Sequence, residues 1–206
     1  MGYFEFMFCE HCGSLMPEDS RFCEHCGGRV TMRPGTAPVP YPPFAVATDY
    51  LAIIEPRLKL GGFTIIRNVP VTPLRVDLVA TLTSGNVLTY KLLRVILATV
   101  MDRVDEQTIR NYSGIMTKYA QDTTGTATVW RSTTVVIYPV IVTRNVPDAT
   151  KMWLKNTVMD KHFAAFEFPV LVLTDTREII FLTKTPFYGW ALYKGFRTFA
   201  ETNLAW

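Results

Sequence analysis

The four cysteines of this chain constrain its fold more than any other feature, because all of them lie between positions 9 and 26. They form two Cys-x-x-Cys pairs, Cys9 with Cys12 and Cys23 with Cys26, and a glycine follows each pair. A tight turn at each pair presents two sulfurs to one metal ion, and glycine gives that turn access to positive φ. Four thiolates complete a tetrahedron. The segment therefore predicts one structural zinc ion per chain, with no ligand position left open for catalysis.

Disulfide bonds and redox chemistry are the alternatives for these cysteines. The first residues lack the basic region of a secretory signal and lead at once into the cysteine pairs, and an even cysteine count in two tight turns favours a metal over disulfides. Metal ligation would also occupy the thiols that redox chemistry needs. Since four cysteines fill the site, we interpret His11 and His25, which lie inside the pairs, as exposed loop residues. The longest apolar runs are too short to span a bilayer, so we expect a cytoplasmic protein without a membrane contact.

The residues around the cysteines also resemble a known family. The run FCEHCGSLMPEDSRFCEHCGGRV is similar to the short zinc-ribbon family in its two Cys-x-x-Cys-Gly pairs, in Leu15 and Pro17 between them, and in Phe22 before the second pair. The turn residues from position 14 to 22 predict a short hairpin that brings the second pair back onto the first. We therefore assign residues 1–31 to a zinc ribbon.

The ribbon is followed by a proline-rich segment and then by a larger domain. Residues 32–43 read MRPGTAPVPYPP, with five prolines, which favours extended polyproline II and predicts a linker. A ligand for a proline-binding domain is the alternative for this segment. With 49% hydrophobic residues in the chain, residues 44–206 can bury a substantial core. We expect this second domain to be a separate α/β (α+β) unit.

Hydrophobic periodicity and turn signals predict the elements of this domain. The pattern gives, in order, a helix over 44–58, a strand over 63–67, a hairpin of 75–83 and 87–95, a helix over 100–121, a strand over 133–143, a helix over 148–158 capped by Asp148, and a hairpin of 168–174 and 178–184. The aromatic tail 186–206 predicts a closing helix or irregular cover, and an aromatic ligand groove is the alternative. The result is a mixed central sheet with flanking helices.

This order of elements resembles the core of the PD-(D/E)XK nuclease superfamily, whose first elements run α-β-β-β-α-β. The resemblance implies an Asp on the second strand and an acid-x-Lys motif on the third that share a divalent ion, and Asp77 and Lys91 would take the first and last of these places. Thr89 stands where the second acid belongs, which removes a carboxylate that Mg²⁺ would need. Glu106 on the next helix could supply a replacement, and Glu55 on the first helix could contribute a peripheral acid.

The function predicted from these features is a non-enzymatic zinc protein that associates with nucleic acid or with a nucleic-acid-handling complex. The net charge of +3 is small, but Arg21, Arg29 and Arg33 flank the ribbon and linker and are candidate phosphate contacts. A metal-dependent nuclease using Asp77 and Lys91 is one alternative, and a protein–protein adaptor is another. These two residues could also form an ordinary cross-strand ion pair.

Overall fold

The structure, a computed structural model, describes residues 6–8, 15–17, 44–85, 91–124, 133–159, 165–185 and 190–206. The chain divides into two compact units, Met1–Tyr41 and Pro42–Trp206. In the first unit, strand β1 (Phe6–Phe8) pairs antiparallel with strand β2 (Leu15–Pro17). The described part of the second unit contains four helices and a seven-stranded mixed sheet. The predicted mixed sheet with flanking helices is confirmed.

The helices of the second unit are α1 (Phe44–Leu60), α2 (Glu106–Thr124), α3 (Asp148–Asn156) and α4 (Trp190–Asn203). Its strands are β3 (Thr64–Val71), β4 (Leu74–Ser84), β5 (Lys91–Val100), β6 (Thr133–Thr143), β7 (Ala165–Glu167), β8 (Val170–Leu173) and β9 (Glu178–Phe181). No helix in this described part of the chain is long and apolar enough to cross a membrane.

The strands follow the order β3-β4-β5-β6-β8-β9, and β7 also pairs with β6. The pairs β3 with β4, β4 with β5, and β8 with β9 are antiparallel, whereas β6 is parallel to β5, β7 and β8. Strand β6 lies in the middle of the sheet with both faces buried, and its sequence is a nearly continuous run of β-branched residues. It coincides with the strand predicted over 133–143.

Helices cover both faces of the sheet, as the side chains of β5 show. Thr99 accepts a hydrogen bond from Tyr112 of α2, at 3.0 Å, whereas the Arg94 guanidinium lies over the ring of Phe199 in α4. Residues 94 and 99 differ by an odd number, and successive side chains of a strand point to opposite faces. Helices α2 and α4 therefore pack on opposite faces. The aromatic tail forms α4, and its Tyr193 and Phe196 are buried in the core rather than lining a groove.

Helix α1 is joined to the last residues of the chain. The Tyr50 hydroxyl donates to the carbonyl oxygen of Leu204 at 2.7 Å, in a fully buried hydrogen bond. Arg57 donates to the carbonyl oxygen of Ala205 at 2.5 Å, and the rings of Tyr50 and Trp206 lie 5.2 Å apart. We call this set of contacts the α1–α4 clasp, and it connects residues more than 140 positions apart in sequence.

Several predicted boundaries were wrong. The helix expected from residue 100 begins at Glu106, because the apolar run up to Val100 belongs to strand β5, which pairs with β4 as far as Ala98 and with β6 as far as Val100. Asp105 precedes the helix and accepts hydrogen bonds from the backbone N–H and the hydroxyl of Thr108, both at 2.7 Å. Helix α3 begins as predicted, but Asp148 makes no capping hydrogen bond and instead pairs with Lys151 at 3.2 Å.

Candidate functional site

The N-terminal unit contributes one described feature, the hairpin of β1 and β2. Its register pairs Phe6 with Pro17 and Phe8 with Leu15. The four cysteines and the predicted hairpin over 14–22, apart from β2, lie outside the described residues, as do Arg21, Arg29 and Arg33. A donor set of four thiolates fits a closed tetrahedral zinc ion, which Cys9, Cys12, Cys23 and Cys26 would hold.

In the second unit, Asp77 lies at a break in the pairing of β4. The ladder between β3 and β4 includes Arg67 with Leu78 and Val69 with Val76, but it skips the intervening pair of Asn68 and Asp77. Asn68 has a φ of 56°, in the left-handed region that Asn tolerates better than most residues. The Asp77 carboxylate instead contacts β5, the strand on the other side of β4, and accepts a hydrogen bond from the backbone N–H of Val100 at 2.8 Å.

The structure does not bring Asp77 and Lys91 together. The antiparallel register pairs Leu78 with Ala98, and its continuation places Asp77 opposite Thr99. Lys91 lies eight residues earlier on β5, which corresponds to about 26 Å along the strand at about 3.3 Å per residue. This separation is too large for two side chains to share one metal ion, so the predicted catalytic pair is not formed. Thr89 lies outside the described residues.

The residues that do lie beside Asp77 on β5 offer no second carboxylate and no amine. By the same register they are Leu97, Thr99 and Met101. The hydroxyl of Tyr112 donates to the carbonyl oxygen of Leu97 at 2.8 Å, beneath this part of the sheet. Burial raises the pKa of Tyr112, and the nearby charge of Asp77 adds to this rise. Asp77 is therefore the one carboxylate here, and the Tyr112 phenol near it is buried and neutral.

Neither of the two replacement acids completes a metal site with Asp77. Glu55 is held by two cations, Lys59 at 2.7 Å and Arg67, whose hydrogen bonds lower the pKa of its carboxyl. Glu106 is an exposed residue in the first turn of α2. Across the described ranges, no group of three or more His, Cys, Asp or Glu side chains lies close enough together to hold a metal ion.

Asp77 instead lines an open pocket of about 510 Å³ between α1 and the edge of the sheet. Two arginines, Arg67 and Arg75, line it together with Asn68, Thr99 and the helix residue Ala52. Arg75 is exposed, and within the described part of the chain its side chain forms no ion pair. The pocket, which we call the Asp77 pocket, thus combines two cations with one carboxylate that is already hydrogen-bonded. Such a set of side chains suits an anion better than a divalent cation.

Sequence reasoning identified Asp77 but missed the two arginines and Asn68. The strand prediction over 63–67 ended too early, so Arg67 and Asn68 were not placed on the same sheet edge as Asp77. An available signal was the sequence Arg67-Asn68 within an apolar strand, since Asn is one of the few residues that adopts a left-handed conformation inside a strand.

Comparison with known proteins concerns the N-terminal unit. Residues 8–30 match the family model of the zinc-ribbon domain. The N-terminus of the chain therefore carries a zinc-ribbon domain, as its two cysteine pairs predict, and this domain implies zinc binding. No curated protein and no solved structure shows significant similarity to the chain.

Proposed function

We propose that this protein is a zinc-ribbon factor without catalytic activity that associates with nucleic acid through phosphate contacts. The Asp77 pocket carries the proposal, because it places two arginines on one accessible surface. Arginine binds phosphate through parallel N–H groups, and such contacts give affinity without reading base sequence. Arg21, Arg29 and Arg33 of the ribbon and linker would add further phosphate contacts. The protein would act in the cytoplasm, where reducing conditions keep the four cysteines available as zinc ligands.

Arg75 is the better of the two pocket arginines for this role. Arg67 donates to Glu55 through Nε at 2.8 Å, so part of its charge is already neutralised. Arg75 has no such partner among the described residues, and it lies in the same pocket. An approaching phosphate would therefore find its strongest attraction at Arg75.

Binding to nucleic acid should weaken steeply as salt rises from about 50 to 200 mM, because each neutralised phosphate releases counterions. Arg75→Ala should weaken binding to all sequences alike and reduce the slope of log affinity against log salt by about one. Fluorescence anisotropy with labelled single-stranded and duplex DNA and RNA measures both quantities. Arg29→Ala and Arg33→Ala test the ribbon side in the same assay.

The matched control is Lys118→Ala, which removes one exposed positive charge from α2, away from the Asp77 pocket. It should leave the affinity and the salt slope close to those of the unmodified protein. Equal losses for Arg75→Ala and Lys118→Ala would argue against a defined site. Absence of binding at low salt would contradict the nucleic-acid proposal altogether.

Nuclease activity should be absent or very weak. A single carboxylate beside an arginine pair cannot neutralise Mg²⁺, and Lys91 is too distant to act with Asp77. The assay incubates DNA and RNA with the protein and Mg²⁺ or Mn²⁺, alongside Asp77→Asn and Lys91→Ala. Cleavage that Asp77→Asn abolishes would show that this proposal is wrong and that another acid completes the site.

A protein–protein adaptor is the second candidate function, and exposed apolar side chains favour it. Ile53 and Leu60 are seven residues apart on α1 and are 44% and 91% exposed, and Ile66 on the edge strand β3 is 58% exposed. Residues at that spacing share one face of a helix. Large exposed apolar side chains of this kind occur at protein-docking surfaces. This candidate becomes the better one if the binding assay detects no nucleic-acid complex.

A further inference from the structure

A second basic group lies on the α4 face of the sheet, away from the Asp77 pocket. Arg94 of β5 is partly buried, and its Nη1 donates to the hydroxyl oxygen of Ser84 at 2.9 Å. Its guanidinium carbon lies 5.3 Å from the centre of the Phe199 ring, in a cation–π contact. Among the described residues, no carboxylate forms an ion pair with Arg94.

A buried hydroxyl lies beside this cation on the neighbouring strand. Tyr138 of β6 pairs with Ile96, two residues beyond Arg94, so its side chain is on the same face. The hydroxyl of Tyr138 is fully buried, and within the described part of the chain no group accepts its proton in a hydrogen bond. Arg94 and Tyr138 both lie against the ring of Phe199. Burial raises the pKa of Tyr138, and the positive charge of Arg94 and a hydrogen bond from its guanidinium oppose this rise.

Arg94 and Tyr138 together have more hydrogen-bond donors than there are acceptors beside them among the described residues. A guanidinium has five N–H donors, and Arg94 uses one of them on Ser84, whose own hydroxyl donates to the carbonyl oxygen of Leu92 at 3.3 Å. Among the residues that the structure describes, none accepts the proton of the Tyr138 hydroxyl. A buried donor without a partner is destabilising by about 1–3 kcal/mol. One small group with negative charge and several acceptor atoms would satisfy both residues.

We propose that Arg94 and Tyr138 form a binding site for a small oxyanion, either a phosphate or a carboxylate. Arg94 would bind the anion through its free N–H groups, and the Tyr138 hydroxyl would donate a further hydrogen bond to it. The partial exposure of Arg94 gives such a ligand a path from solvent. The fully buried hydroxyl of Tyr138 restricts the ligand to a small one, so this site is distinct from a surface that follows a nucleic-acid backbone.

Isothermal titration calorimetry with inorganic phosphate and with acetate, at ionic strength held constant with chloride, tests the site. One of the two anions should bind saturably, and the one that binds identifies the ligand class. Tyr138→Phe removes only the hydroxyl and should weaken that binding by about tenfold or more, as expected for a hydrogen bond to a charged group. Arg94→Gln should abolish it. A saturable heat signal distinguishes a bound anion from general salt effects, because phosphate also stabilises proteins through exclusion from their surfaces.

Tyr112→Phe is the matched control. Tyr112 is as deeply buried as Tyr138, but its hydroxyl is bonded to Leu97 and Thr99, so this variant should keep the full anion affinity. The proposal is overturned if neither anion binds, or if Tyr138→Phe binds as tightly as the unmodified protein. Tyr138→Phe also keeps the test valid where Arg94→Gln does not fold. Failure of this proposal leaves the nucleic-acid proposal intact, because that proposal rests on Arg75.

Discussion

Removing zinc should unfold the N-terminal ribbon and leave the α/β domain of the same chain folded. A segment of about 30 residues cannot bury enough apolar surface to be stable alone, so metal binding must supply its folding free energy. Structural zinc sites of this kind contribute about 10–16 kcal/mol at neutral pH. The α/β domain has its own hydrophobic core and forms a separate compact unit. We expect one zinc ion per chain by metal analysis of the purified protein.

A chelator titration followed by two-dimensional NMR measures this directly, because signals of the two units report separately. Cys12→Ser and Cys23→Ser should each reproduce the effect of the chelator, since either one leaves three thiolates. Ser20→Ala, which lies between the cysteine pairs without contributing a ligand, should retain zinc. Zinc content near zero in protein whose four thiols are intact and reduced would contradict the zinc site.

Replacing Phe168 by alanine should destabilise the α/β domain by about 3–5 kcal/mol. Phe168 is fully buried at the centre of an aromatic cluster that joins the sheet to α4. The centre of its ring lies within 6.2 Å of the rings of four neighbours, which are Tyr138, Phe181, Tyr193 and Phe196. Truncation removes these contacts and leaves a cavity that such rigid neighbours fill only in part.

Urea denaturation monitored by tryptophan fluorescence gives the free energy of unfolding. Leu60→Ala provides the control, because Leu60 is 91% exposed and its truncation should change stability by no more than about 0.5 kcal/mol. A loss below about 1 kcal/mol for Phe168→Ala would mean that this cluster packs loosely, and it would contradict the arrangement of α4 on the sheet.

Features encoded locally in the sequence could be predicted well. The zinc ribbon depends on residue types at short, fixed spacing, and the family match at residues 8–30 confirms it. Strand β6 was predicted at its observed bounds because a nearly unbroken run of β-branched residues is typical of a buried central strand. The end of strand β5 was predicted too early, at residue 95 instead of Val100. A short apolar run of this kind occurs both in helices and in buried strands, so its periodicity does not separate the two.

The candidate site was harder to predict because it depends on strand register. The sequence Ser84-Gly85-Asn86 suggested a tight turn, which would have brought Lys91 close to Asp77. The observed register pairs Ser84 with Leu92, so seven residues separate the two paired positions and every cross-strand neighbour is shifted. The two arginines of the Asp77 pocket come together only through this tertiary arrangement. No local pattern around Arg75 distinguishes it from a solvated surface residue.

The α1–α4 clasp has a consequence for how the domain is made. It joins Tyr50 to Leu204 across 154 positions, so these contacts of the first helix cannot form until residue 204 has been synthesised. Contacts between such distant parts of a chain form slowly, because a long loop must close first. On the ribosome, the part of α1 around Tyr50 therefore lacks this cover until residues 204–206 emerge, and apolar surface left open in this way favours aggregation or binding by chaperones.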